Sequence, residues 1–246
     1  MVKTGEKLYE GKAKILYATE DPSQVIQYFK DDATAFNAQK KGTIVGKGVV
    51  NNQISAALFQ MLEKQGVPTH FIKQLSDREM LVKRVQIVPL EVTIRNITAG
   101  GMSRMLGIDE GIVLKTPVFE WHYKSDPPND PLINDDHILA LELATEKELE
   151  TIRRLSFKVN DVLKAYFATR KIDLVDFKLE FGRFPAGGPG TGTILLSDEI
   201  SPDTCRFWEQ GTKKKLDKDR FRRDLGDVES AYQEMLNRVL GESAAK

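Results

Sequence analysis

The stretch Leu174-Val175-Asp176-Phe177-Lys178-Leu179-Glu180-Phe181-Gly182 alternates charged and apolar residues, which predicts a strand with two unlike faces. The charged residues that would share one face are Asp176, Lys178 and Glu180. A row of this kind suits the binding of a metal ion and of phosphate, although a solvated surface strand shows the same alternation. We favour the functional interpretation because an acid, a base and a second acid stand side by side before a glycine.

A second short strand, Thr193 to Leu196, follows a loop rich in glycine and proline. If the two strands pair across that loop, Glu180 and Asp198 approach each other at the ends of their strands. Two carboxylates offer the oxygen ligands that Mg²⁺ prefers, so this pair is the predicted metal site. The alternative is two strand-end carboxylates that face water.

Other segments extend this sheet into a mixed fold. An N-terminal hairpin is predicted over residues 14–29, and helices over residues 51–64, 146–170 and 217–240, the last broken near Gly226. Strands and helices are grouped rather than strictly alternating, which favours an α+β fold of two lobes with a cleft. Residues 116–134, interrupted by four prolines, predict an irregular loop that carries substrate contacts.

Composition excludes several classes of function. The chain has 246 residues, and 36 Lys and Arg balance 36 Asp and Glu, so no overall field favours nucleic acid or an anionic membrane. No apolar run approaches the roughly 20 residues that span a bilayer. The single cysteine, Cys205, cannot form an internal disulfide, which predicts a reducing, cytoplasmic setting.

Candidate anion contacts lie on both sides of the predicted cleft. Gly11 stands just before Lys12 and Lys14, which would suit a turn that covers a phosphate. The alternative is a hairpin turn with solvated lysines. Arg95 and Arg206 could each pair with a phosphate or a carboxylate through two hydrogen bonds. Residues 98–101, leading toward Ser103, could open a short helix with free amides, or form an ordinary turn.

In order and spacing, the chain resembles the phosphoribosylaminoimidazole-succinocarboxamide synthase (SAICAR synthetase) family over nearly its whole length. The matching blocks are Leu8 to Lys14, Gly48-Val49-Val50-Asn51-Asn52, Val88-Pro89-Leu90-Glu91 through Arg95-Asn96, Leu174 to Gly182, Ser197-Asp198-Glu199-Ile200-Ser201-Pro202-Asp203 and Lys218-Asp219-Arg220-Phe221-Arg222. So many blocks in one order make coincidence improbable.

The resemblance implies a two-lobed α+β fold. Residues 1–83 would form an antiparallel-sheet nucleotide lobe, residues 84–246 a larger α+β lobe for substrate and metal, and ATP would bind in the cleft between them. It also implies a reaction: ATP activates the carboxylate of carboxyaminoimidazole ribotide (CAIR) as an acyl phosphate, and L-aspartate displaces phosphate to give SAICAR and ADP. A homodimer is implied as well.

The resemblance further implies roles for individual residues. Nucleotide contacts would come from the side chains of Lys12 and Lys14, from backbone groups at Val82 and Val85, and from Glu180 and Asp198, which would hold Mg²⁺. The ribotide phosphate would bind Arg95, Arg206 and Ser103. Four residues would surround the imidazole and its carboxylate: Lys124, Asp130, Asp176 and Lys178, the last two catalytic.

Two features depart from the family pattern. Gly101 stands where the family has a serine that binds phosphate, so that contact is lost or is moved to a backbone amide or to Ser103. This puts ribotide affinity in question. The loop of residues 184–193 is longer and richer in glycine and proline than expected, which a surface loop tolerates.

Two other classes of function remain open on the residues alone. A kinase-like phosphotransferase could use the same lysines and carboxylates, but the His-Arg-Asp and Asp-Phe-Gly motifs of protein kinases are absent. A non-catalytic nucleotide-binding module would bind ATP without turnover. The missing motifs count against the phosphotransferase, and the near-complete set of charged site residues counts against the non-catalytic module.

Overall fold

A computed structural model describes residues 2–35, 39–125 and 130–241. The strands are β1 (Lys7–Glu10), β2 (Lys14–Ala18), β3 (Gln24–Phe29), β4 (Asp32–Ala35), β5 (Lys40–Thr43), β6 (Phe71–Gln74), β7 (Glu79–Lys83), β8 (Gln86–Ile97), β9 (Val113–Tyr123), β10 (Leu132–Ile133), β11 (Ile172–Phe184), β12 (Thr193–Ser197) and β13 (Cys205–Glu209). The helices are α1 (Lys47–Lys64), α2 (Gly100–Leu106), α3 (Asp135–Ala140), α4 (Glu146–Ala168), α5 (Asp219–Arg222) and α6 (Val228–Leu240).

Two antiparallel sheets organise these elements. The first has the strand order β1-β2-β3-β7-β6, and the second has the order β10-β9-β8-β11-β12, with β13 paired to β11. The hairpin of β4 and β5 stands apart from both. The predicted α+β class, with an antiparallel sheet in the N-terminal part, is confirmed.

The helix α4 shows why the central sheet has one apolar face. Thr145 accepts a hydrogen bond from the backbone of Glu148, whose carboxylate accepts one from the Thr145 backbone at 2.8 Å, so a reciprocal capping box begins the helix. Ile152, Val159 and Leu163 are fully buried among the apolar residues of β11. Each burial stabilises the fold by roughly 1.5–3 kcal/mol, which fixes the opposite face of β11 as the polar one.

Contacts between the two sheets join the predicted lobes. The sheets divide between Lys83 and Gln86, close to the predicted boundary. However, residues 68–70 form hydrogen bonds of 2.9 Å with Leu196 of β12, and α1 packs against α6. One hydrophobic core runs through both parts. The division into residues 1–83 and 84–246 stays a prediction.

The predicted loop over residues 116–134 is wrong in its first half, which belongs to β9. Pro117 is tolerated there because β10 pairs only with Trp121 and His122, so the proline lies on an unpaired edge of the strand. Residues 126–129 lie outside the described part of the chain. Pro89 lies inside β8, where the pairing with β11 shifts register between Glu180 and Gly182.

Among the described helices, none combines the length and the hydropathy needed to cross a membrane.

Candidate active site

The polar face of the central sheet carries most of the predicted site residues. Residues opposite each other in antiparallel strands share a face, and β11 has a neighbour on each side. The residues that line up across the sheet are Arg206, Asp176 and Arg95 in one row, Lys178, Thr93 and Glu120 in the next, and Ser197, Glu180, Glu91 and His122 in the third. Residues from five strands therefore converge on one surface.

The two predicted metal-binding carboxylates lie together on this surface. Glu180 lies between Ser197 and Glu91 in the third row, and the chain turns just after Ser197 at Asp198, whose φ of 62° is left-handed. Burial and the charge of Asp198 raise the pKa of Glu180 to about 7. Burial also raises the pKa of Asp198, but the charge of Lys14 outweighs it and keeps that pKa below its ordinary value. A positive charge placed between Glu180 and Asp198 would therefore stabilise both carboxylates.

Two lysines supply positive charge in this arrangement. Lys14, at the start of β2, pairs with Asp198 and lies 2.9 Å from the Glu199 carboxylate. These two ion pairs join the first sheet to the segment that follows β12 of the second. Burial lowers the Lys14 pKa, but both carboxylates raise it above its ordinary value overall. Lys124, just after β9, pairs with Glu180 in the same way. Lys12 is exposed on the turn between β1 and β2.

The acidic pair fits a divalent cation that is shared with a substrate. No group of three metal-binding side chains occurs within residues 2–35, 39–125 and 130–241, so Glu180 and Asp198 could supply only part of a coordination shell. Mg²⁺ is usually held by one or two carboxylates, with phosphate and water oxygens as the other ligands. The donor set therefore fits Mg²⁺ bound together with a nucleotide.

The two predicted phosphate-binding arginines flank one carboxylate. Arg206 donates to both oxygens of Asp176, at 2.9 and 2.8 Å, and Arg95 donates to the same carboxylate at 2.9 Å. Arg95 also donates to both oxygens of Glu120, at 2.9 and 2.8 Å. Asp176, predicted to be catalytic, is thus engaged with both guanidinium groups in this structure.

The start of α2 completes this arginine cluster. Gly100 has a φ of 55°, and a Cβ at this position would lie 2.4 Å from a guanidinium nitrogen of Arg206. A Cβ at Gly101 would have more room, since the nearest atom is Nη2 of Arg95, at 3.7 Å. The Ser103 hydroxyl is buried and has no hydrogen-bond partner among the described residues. The guanidinium groups of Arg95 and Arg206 therefore lie beside the short helix that contains Ser103.

The remaining predicted residues have these positions. Lys178 pairs with Glu91 of β8, and Asp130 accepts a hydrogen bond of 3.0 Å from the Ser125 backbone. Val82 lies within the first sheet, paired to both β3 and β6. Val85 lies in the link between the sheets, with its side chain against the backbone of Gly182.

Several charged residues in this surface were not assigned from the sequence. Glu91 and Glu120 engage Lys178 and Arg95, and Glu199 engages Lys14. Asp219 of α5 accepts a hydrogen bond of 2.9 Å from Arg206. Glu91, Glu199 and Asp219 belong to the blocks that match the family, so the family pattern contained a signal for them. Glu120 lies within residues 116–134, which we predicted to be a loop because of the four prolines in that stretch.

This site defines a class of enzyme. An acidic pair with two lysines, next to an arginine cluster suited to a phosphate, is typical of enzymes that transfer a phosphoryl group from a nucleotide to a second anionic substrate. Comparison with known proteins narrows the class. The family model described as SAICAR synthetase matches residues 7–239, so the chain belongs to the SAICAR synthetase family.

Individual relatives agree with this assignment. Phosphoribosylaminoimidazole-succinocarboxamide synthase of Clostridium botulinum is 58% identical over 234 residues, which covers 95% of this chain and 97% of the relative. The crystal structure of the synthase from Ehrlichia chaffeensis is 47% identical, covers 96% of this chain and 98% of that chain, and superimposes with a TM-score of 0.93. A SAICAR synthetase in complex with ADP is 44% identical, covers 97% and 99% of the two chains, and has a TM-score of 0.90.

The enzyme is therefore an ATP-dependent ligase of purine biosynthesis that joins CAIR and L-aspartate. The resemblance inferred from the sequence blocks is confirmed.

Proposed function

We propose that the polar face of the central sheet performs this ligation with Mg²⁺, and that its residues divide between nucleotide and ribotide. The observation that carries the proposal is the adjacency of two clusters built around Glu180 and Asp176 of β11: the Glu180–Asp198 pair with its lysines, and the Asp176 carboxylate between two arginines. The first suits a metal-bound triphosphate and the second a sugar phosphate. Lys178 lies between them on the same strand.

The chemistry requires activation of a carboxylate. An oxygen of the CAIR carboxylate attacks the γ-phosphorus, the bond to the β-phosphate oxygen breaks, and ADP leaves. The aspartate amine then attacks the acyl carbon, the bond from that carbon to the phosphate oxygen breaks, and the nitrogen loses a proton. Each step gathers negative charge on phosphate oxygens, so catalysis depends on positioning and on nearby cations.

ATP would lie between the two sheets. Lys14 reaches from β2 to Asp198 and Glu199, so its ammonium group lies where phosphates would meet the acidic pair. Lys12 on the adjacent turn would cover the same phosphates. Adenine would lie against the link between the sheets, where the backbone of Val85 forms no hydrogen bond within the described part of the chain, and would pack beside Val82. The relative crystallised with ADP supports a nucleotide in this fold.

Glu180 and Asp198 would hold Mg²⁺, and Lys14 and Lys124, which now neutralise them, would shift toward the phosphates. When bound, the ion would neutralise charge on the phosphate oxygens. Lys124 and Lys178 would also offset the charge of the CAIR carboxylate, and Asp130 would accept hydrogen bonds from the ring substituents.

Arg95, Arg206 and the start of α2 would bind the ribotide phosphate. Both guanidinium groups already form charge-assisted hydrogen bonds to Asp176, so their planes are fixed before the ligand arrives. Asp176 would thus serve catalysis by orienting them, in addition to the predicted contact with the imidazole. The buried Ser103 hydroxyl supports this site because a ligand oxygen would give it a partner.

The test is phosphate release from ATP and Mg²⁺ with CAIR, with and without L-aspartate. Release that requires every component, with the succinocarboxamide as product, is the expected result. ADP formation with a hydroxyl acceptor and without aspartate would instead indicate a phosphotransferase. Omitting Mg²⁺, or sequestering it with a chelator, is expected to abolish release.

The cytoplasmic location, the homodimer and the boundary at residue 83 are also part of this proposal. The family resemblance supports the dimer, and light scattering tests it.

A further inference from the structure

His122 differs from the other two histidines in what its ring faces. His70 is buried, and burial lowers its pKa to about 3, so it is neutral. His137 is exposed in the capping box at the start of α3. His122 lies on β9 with Nδ1 3.1 Å from the backbone oxygen of Asp130 and Nε2 3.2 Å from a carboxylate oxygen of Glu120.

Both neighbours of this ring are hydrogen-bond acceptors. A backbone carbonyl cannot donate a hydrogen bond. Glu120 cannot donate either: although burial raises its pKa, hydrogen bonds from His122 and Arg95 outweigh this and lower the pKa to about 2, so it is ionised. A neutral imidazole carries one N–H and one lone pair, whereas the imidazolium carries two N–H groups. Only the doubly protonated ring satisfies both contacts.

The surrounding charges are consistent with a cationic ring. On β8, Glu91 lies directly opposite His122 and pairs with Lys178 of β11. On β10, the residue opposite is the apolar Leu132. Arg95 donates to the same Glu120 oxygen that the ring contacts, so this ionised carboxylate is shared by both groups.

These contacts join two parts of the ribotide site. Glu120 accepts two hydrogen bonds from Arg95, and Asp130 is held by the ring through its backbone oxygen. We propose that doubly protonated His122 is a positioning residue for the carboxylated ribotide, holding Arg95 through Glu120 and holding Asp130 through its carbonyl. The inference rests on the proposed function, which assigns Arg95 and Asp130 to that substrate.

Loss of the ring proton has a definite consequence. The lone pair of one nitrogen then faces an acceptor, and one of the two hydrogen bonds disappears. The KM for ribotide should therefore increase when the ring loses this proton at higher pH. The chemical step should be unaffected, since His122 does not touch the reacting atoms.

The experiment compares the wild type with His122→Phe, which keeps a ring but has no donor, and with His122→Gln, which keeps one uncharged donor. His137→Gln is the matched control, because glutamine also suits the third position of a capping box. At about pH 6, His122→Phe should raise the KM for CAIR about fivefold, and the ratio to wild type should be smaller at about pH 8.5, where the neutral wild-type ring keeps only one of its two hydrogen bonds. His122→Gln should give an intermediate KM with a flattened profile.

The kcat at saturating CAIR should stay within about twofold in both variants. His137→Gln should follow the wild type at every pH. A KM ratio that is the same at all pH values would show a packing role only and would overturn the inference, as would an unchanged KM. Circular dichroism verifies that each variant is folded.

A second measurement separates this inference from the proposed function. If the wild type makes no SAICAR, the proposed function fails, but the ¹⁵N shifts of the His122 ring still report its protonation. Two protonated nitrogens at about pH 6 would support the inference, and a neutral ring there would overturn it.

Discussion

Asp31 accepts two parallel hydrogen bonds from Arg78, at 2.7 and 2.9 Å, and its carboxylate lies beside the N-terminal end of α1. The same carboxylate accepts hydrogen bonds from the backbone of Gly46 and Gly48, at 3.2 and 2.9 Å. A negative charge at a helix N-terminus is stabilising, and a paired guanidinium strengthens it. One carboxylate therefore joins the first turn of α1 to the hairpin of β6 and β7.

Asp31→Asn should lower the free energy of unfolding by about 2 kcal/mol at neutral pH. The hydrogen bonds from Arg78 outweigh burial and, with the two backbone amides, lower the Asp31 pKa to about 2 from an ordinary 3.8, and each unit corresponds to roughly 1.4 kcal/mol. Because the folded pKa is lowered, the contribution is complete above about pH 4 and is lost as the pH falls toward 2. Urea titrations of wild type and variant measure the difference.

Asp32→Asn is the control for this change, since Asp32 is adjacent but more exposed and pairs with Lys30. It should alter stability by less than about 0.5 kcal/mol. An equal loss in both variants would contradict the role given to Asp31.

Glu180→Gln should reduce kcat by about a hundredfold or more while the protein stays folded. The change removes a charge from the proposed Mg²⁺ site with little change in volume. It also removes repulsion between Glu180 and Asp198, so thermal stability should not fall. Glu150→Gln on the exposed face of α4 is the control. Wild-type turnover in Glu180→Gln would exclude this residue as a metal ligand.

Gly101→Ser should lower the KM for CAIR by roughly three- to tenfold, because it restores a hydroxyl at the proposed phosphate site. The nearest atom to the new Cβ lies 3.7 Å away, so the side chain fits. Gly100→Ser is the paired control. Its Cβ would lie 2.4 Å from Arg206 at a left-handed φ, so this variant should bind CAIR more weakly. If both substitutions had the same effect, the phosphate would not bind at this helix.

Lys14→Met should raise the KM for ATP about tenfold and the KM for L-aspartate much less. Methionine keeps much of the apolar stem but removes the ammonium group that pairs with Asp198 and Glu199. Lys73→Met on the exposed face of β6 is the control. Equal increases for both substrates would argue against a phosphate contact for Lys14.

The sequence was most informative about features that depend on the periodicity of a single strand or helix. The alternation over residues 174–182 predicted the two faces of β11, and the loop after it predicted the pairing that brings Glu180 beside Ser197. The helix predicted over residues 146–170 corresponds to α4, and its signal was likewise local. These features depend on neighbours close in the chain.

Features that depend on distant pairing were not predictable. Nothing in the local pattern places His122 and Glu91 opposite each other, because that register is set by the whole sheet. Pro117 suggested a loop, and only the unpaired edge of β9 explains why a strand continues through it. The arginine cluster likewise requires β8, β11 and β13 to be adjacent, which Arg95 and Arg206 alone could not indicate.

The packing of α6 on α1 has a consequence for synthesis of the chain. Ile54 and Leu58 of α1 share a core with Met235 and Val239, which the ribosome adds much later. The part of α1 that packs on α6 therefore emerges before its partner, although α1 can already contact β3, β6 and β7. Until α6 is released, that part of α1 must be shielded by transient contacts or by chaperones, and a chain stopped before residue 228 would be a substrate for proteolysis.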